Sequence, residues 1–170
     1  MTKAEDPTIP NGSPDEFHTR QFSMGDLQEV ITINRICLPE NYPRSFFTHV
    51  YSSAPEAFRV ATVGTKVVGY VMARLEDSVN IFKRGRKKKG HIISVAVLPQ
   101  YRRKGLAKRM LIECLEVLEK INAVECYLEV RESNSSAISL YEQLDFVKAR
   151  VIPRYYKDGE SALVLTKSLI

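Results

Sequence analysis

The stretch His91-Ile-Ile-Ser-Val-Ala-Val-Leu-Pro-Gln-Tyr-Arg-Arg-Lys-Gly-Leu-Ala-Lys-Arg109 constrains the fold more than any other part of the chain. Residues 91 to 98 are nearly all apolar and rich in β-branched side chains, and Pro99 closes the run. That is the pattern of a strand covered on both faces. From Leu106 the apolar positions Ala107, Met110, Leu111, Cys114, Leu115 and Leu118 recur at helical spacing and give a helix one buried face. Arg102, Arg103 and Lys104 fill the turn between them, and Lys108 and Arg109 follow in the first helical turn. A helix N-terminus carries roughly half a positive charge, so each cation there is unfavourable by about 0.3–1 kcal/mol. Free backbone N–H groups point the same way, and Gly105 and Ala107 leave room for a ligand to approach the main chain. A phosphate or pyrophosphate resolves this conflict. A solvated basic turn is the plainer alternative.

At 170 residues and 44% hydrophobic content the chain has the material for one globular domain with a sizeable core. No window approaches the about 20 apolar residues that span a bilayer, so no membrane partner is expected. The N-terminus lacks an apolar signal core, and a cytoplasmic location is the expectation. Cys37, Cys114 and Cys126 have no metal-site spacing and read as reduced structural thiols, and no metal site is expected. The net charge of +5 favours anionic partners without specifying one.

Residues 1–16 hold three prolines and few apolar side chains and read as a disordered tail before a domain over 17–170. Phe17 to Phe22 alternates as a strand. Ser23 with Asp26 suits a capping box for a helix bearing Leu27, Val30, Ile31 and Ile33 or Asn34. Leu38-Pro-Glu-Asn-Tyr-Pro43 breaks that helix, and a second runs from about Ser45 to Ser52. Phe58–Val63 and Val67–Glu76 read as strands around a Gly64-Thr65 turn. The run Lys83-Arg84-Gly85-Arg86-Lys87-Lys88-Lys89 reads as a solvated loop between strands, or as a nucleic-acid or ribosome-facing patch. Glu125–Val130 is a further strand. Asn134 caps a helix bearing Ala137, Leu140, Tyr141 and Leu144, and Phe146–Ile152 and Ala162–Leu169 complete the strands.

The resulting order is β, α, α, three β, α, β, α, β, β. A dinucleotide-binding fingerprint also sets glycines at a strand-to-helix turn with an acid, here Glu129, about 20 residues on. Its third glycine is missing here, and the element order lacks repeated βαβ units. Arg102-x-x-Gly105-x-Ala107, after a strand ending Val-Ala-Val-Leu98, resembles instead the acyl-CoA pyrophosphate loop of the GNAT N-acetyltransferases. Leu38-Pro-Glu-Asn-Tyr-Pro43, Tyr127-Leu-Glu-Val-Arg-Glu-Ser-Asn134 and Tyr155-Tyr-Lys-Asp-Gly-Glu160 are similar to archaeal N-terminal protein acetyltransferases, relatives of ribosomal-protein alanine acetyltransferase. The resemblance implies an α/β (α+β) GNAT fold. Its central sheet is mixed, mostly antiparallel and splayed at the acetyl-CoA site, with about four flanking helices.

By the same resemblance, main chain around Val95, Ala96 and Val97 binds the pantetheine arm of acetyl-CoA. Arg103, Lys104, Gly105, Leu106, Ala107 and Lys108 hold the pyrophosphate, Asn134 contacts the cosubstrate, and Tyr141 lies near its sulfur. A phenol of pKa near 10 is suited to protonating a departing thiolate; core packing is the alternative for Tyr141. His91 and Glu129 are the base candidates on adjoining strands, sharing the amine proton through a water. As structural residues, His91 would be a hydrogen-bonded strand start, and Glu129 an expensive buried carboxylate. Glu40, Tyr42, Tyr155 and Tyr156 line the substrate path, or are ordinary surface packing.

The implied activity is acetyl transfer from acetyl-CoA to the α-amine of protein N-termini, in a ternary complex with a water-mediated base. Glu40 repels acidic substrate residues, which points to Ser-, Ala- and Met-starting termini. Acetylation of lysine or a small amine, and a non-enzymatic RNA- or ribosome-binding role, are the other readings. Monomer or catalytic subunit with an auxiliary chain are both open.

Overall fold

Seven strands form one sheet in the order β1-β2-β3-β4-β5-β7-β6 in the computed structural model, which describes residues 16–79 and 86–170. The strands are β1 (Phe17–Gln21), β2 (Arg59–Val63), β3 (Lys66–Val79), β4 (Arg86–Val97), β5 (Ala123–Arg131), β6 (Val147–Ile152) and β7 (Ala162–Ser168). The helices are α1 (Leu27–Cys37), α2 (Arg44–Ser53), α3 (Leu106–Lys120) and α4 (Ser135–Glu142). β4 and β5 run parallel and every other neighbouring pair is antiparallel. This is the element order and the mixed sheet expected from the sequence.

Two apolar layers cover the sheet. On one face Leu27, Val30, Ile31 and Ile33 of α1 and Phe47 and Val50 of α2 pack with Phe58, Val60, Tyr70, Met72 and Ala96. On the other, Leu106, Met110, Leu111, Cys114 and Leu118 of α3 join Tyr141 and Leu144 with Ile92, Cys126, Leu128 and Val130. Both helical faces follow the apolar spacing in the sequence. Glu113 on α3 accepts Arg59 Nη2 at 2.8 Å and also binds Thr19, which ties the helix to β1 and β2. Gly90 lets α3 come close: a Cβ there would stand 2.6 Å from Leu118 Cδ1, and Leu118 is itself buried.

The basic run departs from expectation. Arg86 to Lys89 belong to β4, not to a loop, and β3 likewise continues beyond Glu76 to Val79. Charge density does not prevent a strand when acids lie across from it. Lys88 pairs with Asp77, Lys89 pairs with Glu76, and Lys89 Nζ lies 3.1 Å from Glu125 Oε1 on the other side. Lys83, Arg84 and Gly85, and residues 1–15 of the tail expected over 1–16, lie outside the described residues.

Candidate active site

β4 and β5 part company in the middle of the sheet. Their pairing runs from Lys88–Ala123 to His91–Tyr127 and stops there. Beyond that point β4 continues against β3 as far as Val97, and β5 against β7 as far as Arg131. A bulge at Ile93 marks the divergence: Met72 pairs with Ser94 and Ala73 with Ile92, so one residue of β4 is extra. Bulges bend a strand and increase its twist, and here the bend follows directly on His91. The result is the expected splay, with main chain of residues 92–97 and 128–131 facing an opening.

His91 and Glu129 stand at the start of this opening. His91 Nε2 lies 2.6 Å from Glu129 Oε2, and the two side chains are only 11% and 17% exposed. His91 Nδ1 lies 3.2 Å from Glu76 Oε1, and the Tyr127 ring stacks on the imidazole at 4.2 Å. Glu76 also accepts the Tyr127 hydroxyl at 2.6 Å and Arg74 Nε at 2.6 Å. Burial works to raise the Glu76 pKa, but the bonds from Tyr127, Arg74 and His91 outweigh it and leave the carboxyl below its ordinary value. The expected pair is therefore the centre of a larger network on three adjacent strands.

The expected substrate loops converge on the same spot. Tyr42, Tyr155 and Tyr156 all have raised phenol pKa values, from burial first and then from nearby carboxylates that include Glu129 in each case. Asn34, buried in α1, donates to the Glu40 carbonyl at 3.2 Å and to Tyr70 Oη at 3.1 Å, which fixes the α1–α2 connection. Arg131, at the end of β5, binds Glu40 at 2.5 Å, Asp158 at 2.7 Å and Glu160 at 2.8 Å. Its guanidinium also lies 4.0 Å from the centre of the Tyr156 ring. Glu40 is thus one of three carboxylates around a single cation.

On the opposite side of the splay, α3 begins without a side-chain cap or an acidic residue in its first turn. Two residues of the preceding turn adopt left-handed backbone, Arg103 at φ +63° and Gly105 at φ +76°. A non-glycine residue held there marks a local constraint. Several of the cations have structural partners: Arg102 Nε donates to the Val97 carbonyl at 2.8 Å, Lys104 lies 4.9 Å over Phe17, and Lys108 reaches Gln143 at 3.2 Å. Arg103 is exposed and has no polar side-chain partner among the described residues. Ala96 and Val97 are buried on β4, with Val95 partly so.

Asn134 caps α4, its Oδ1 accepting Ala137 N–H at 3.2 Å. Tyr141 is buried against Phe146, and burial pushes its phenol up to about 12. It packs on the α3 face with Cys126, Leu128 and Val130, whereas Glu129 projects from the opposite face of β5. No hydrogen bond joins Tyr141 to the His91–Glu129 pair among the described residues. The site is therefore two-sided, with the opening between β4 and β5 as the passage.

Residues 27–146 match the family model described as Acetyltransferase (GNAT) family, and the chain belongs to that family of acetyltransferases. Within the family it is 44% identical to an N-alpha-acetyltransferase of Saccharolobus solfataricus, over 91% of this chain and 94% of that protein. It is also 35% identical to the Arabidopsis thaliana N-terminal acetyltransferase B complex catalytic subunit NAA20, over 88% of this chain and 84% of the relative. The structure of Arabidopsis thaliana Naa50 in complex with the bisubstrate analogue CoA-Ac-MVNAL superposes with a TM-score of 0.78 at 25% identity. That match covers 89% of this chain and 98% of the other.

Proposed function

We propose that this protein transfers an acetyl group from acetyl-CoA to the α-amine of protein N-termini beginning with Ser, Ala or Met. The observation that carries this is the parting of β4 and β5 directly beyond His91, with the His91–Glu129 pair astride the opening. The named activities of the relatives support the same reading.

The fit to acetyl-CoA rests on the uncapped start of α3. Its outward N–H groups, the left-handed turn at Arg103 and Gly105 and the exposed Arg103 side chain form an anion site with no acidic residue in the first helical turn. Arg103, Lys104, Gly105, Leu106, Ala107 and Lys108 would hold the pyrophosphate, Val95, Ala96 and Val97 the pantetheine, and Asn134 the cosubstrate beside it. The thioester supplies an acyl carbon already activated for attack.

A protein α-amine has a pKa of about 7.7–8.0, so much of it is protonated at neutral pH. The His91–Glu129 pair takes that proton, through one water or directly. The neutral amine nitrogen then bonds to the acyl carbon, the carbon–sulfur bond breaks with its electron pair on sulfur, and the surplus proton on nitrogen ends on the departing thiolate to give the free thiol. Tyr141, which holds its own proton firmly, donates toward that thiolate. Tyr42, Tyr155 and Tyr156 line the path of the peptide. Glu40 shares Arg131 with Asp158 and Glu160, and its carboxylate would disfavour acidic substrate residues by like-charge repulsion.

Purified protein incubated with acetyl-CoA and a panel of N-terminal peptides tests the proposal by release of free thiol. Ser-, Ala- and Met-starting peptides are expected to support turnover, and Asp- or Glu-starting peptides are not. Failure of every neutral peptide would overturn it.

A further inference from the structure

Both ring nitrogens of His91 face carboxylates, Nδ1 facing Glu76 at 3.2 Å and Nε2 facing Glu129 at 2.6 Å. A neutral imidazole has one N–H and one lone pair, so it can donate to only one of them. The two carboxylates are held very differently. Glu76 accepts the Tyr127 hydroxyl on one oxygen and Arg74 Nε on the other. Those donors keep it ionised and in need of a further donor only on the His91 side. Glu129 has no side-chain hydrogen bond other than that with His91 among the described residues.

We infer that Glu76 is a positioning residue for acetyl transfer: it accepts the Nδ1 proton of His91 and so turns the Nε2 lone pair toward Glu129 and the opening. The inference deepens the proposed function and rests on the base role given there to His91 and Glu129. Strand register explains how the parts meet. Arg74 and Tyr127 are the direct neighbours of His91 on β3 and β5, and Glu76 lies two residues beyond Arg74 on the same face. Tyr127 acts twice, stacking on the imidazole at 4.2 Å and tethering Glu76 at 2.6 Å. The bulge at Ile93 follows at once, so the ring is held immediately before the strand bends away.

The assignment also locates the proton. With Nδ1–H given to Glu76, the short contact between Nε2 and Glu129 holds one shared proton. The charged and titratable groups that face this pair are Arg74 and Glu76 from β3 and Tyr127 and Glu129 from β5. Tyr42, Tyr155 and Tyr156 of the substrate loops lie within range of the Glu129 charge.

Glu76→Gln tests the inference because an amide retains size but presents a donor or a neutral acceptor to Nδ1. Loss of the outer carboxylate that orients a metal-bound histidine costs about 10- to 100-fold in activity, and the same order is expected for a carboxylate that orients a free imidazole. The kcat of Glu76→Gln with a Ser-starting peptide is expected to fall by about that factor, with the KM for acetyl-CoA unchanged. Glu76→Asp should recover part of the loss, and nitrogen NMR of His91 should show Nδ1–H in the wild type and Nε2–H in Glu76→Gln. In a His91→Ala background Glu76→Gln should cost nothing further. Equal losses in both backgrounds, or wild-type turnover with the tautomer unchanged, would overturn it. Should Glu76→Gln fail to fold, Tyr127→Phe carries the same test: turnover and tautomer both unchanged would also overturn it. Wild-type turnover in His91→Ala would instead bring down the base assignment itself, a result separable from failure at Glu76 alone.

Discussion

Arg131 Nη2 donates to Glu40 Oε1 at 2.5 Å across 91 residues of sequence, so the end of β5 and the α1–α2 connection form one electrostatic unit. The same guanidinium reaches Asp158 and Glu160, which brings the β6–β7 connection into the clasp. Partly exposed ion pairs add little to global stability. Their effect is local, holding the two loops together around Arg131. Arg131→Ala is expected to raise the peptide KM about tenfold, or about 1.4 kcal/mol, with kcat and acetyl-CoA affinity little changed. Steady-state kinetics with varied peptide checks this, and an unchanged peptide KM would show that the loops hold their own positions.

The basic elbow gives a separate expectation. Gly105 sits at φ +76° with open space around its missing Cβ, so Gly105→Ala meets strain and no clash. Left-handed backbone costs a β-carbon residue about 1–2 kcal/mol. Calorimetric titration should show weaker acetyl-CoA binding in Gly105→Ala and weaker, less salt-dependent binding in Arg103→Ala. Equal affinity in both variants would separate the elbow from the cosubstrate.

His91→Ala combined with Glu129→Gln removes both proposed proton acceptors and leaves the elbow untouched. General-base catalysis contributes typically about 10²–10⁴-fold, and a kcat loss in that range is expected. Acetyl-CoA affinity should stay close to wild type. Full turnover in the double variant would exclude the pair from the chemistry.

Acid stability has its own signature at Asp26. The Arg20 hydrogen bonds, with those from Ser23, hold the Asp26 carboxyl below its ordinary value of 3.8, although burial opposes them. A depressed folded pKa contributes stability that is complete above the unfolded value and disappears as the pH falls through the folded one. Urea unfolding below about pH 4 should therefore show a shallower loss of stability in Asp26→Asn than in the wild type. Equal slopes would mean the Arg20 bonds are not formed in solution.

Local periodicity made most of the fold legible. The faces of α1 and α3, the Gly64-Thr65 turn and the order of elements along the chain followed from apolar spacing and turn residues, and the splay came from the family resemblance. The extension of β4 through Arg86–Lys89 was not legible, because its stability comes from Asp77, Glu76 and Glu125 on neighbouring strands. Of the network around the base, His91 and Glu129 stood out in an apolar context, whereas Glu76 and Arg131 did not. Their partners are far away in sequence: Glu76 meets Tyr127 across 51 residues and Arg131 meets Glu40 across 91. One signal was available. Tyr127, Glu129 and Arg131 recur at every second position of a strand whose other face is Cys126, Leu128 and Val130, which marks one polar face aimed at a site.

In the proposed function the opening between β4 and β5 delivers an acetyl group to a terminal amine. Fragment mass spectrometry of a Ser-starting peptide with an internal lysine, after incubation with acetyl-CoA and this protein, tests it most directly. One acetyl group is expected on the α-nitrogen, none on the lysine, and no product when the α-amine is blocked beforehand. An acetyl group on the lysine of the blocked peptide would contradict it.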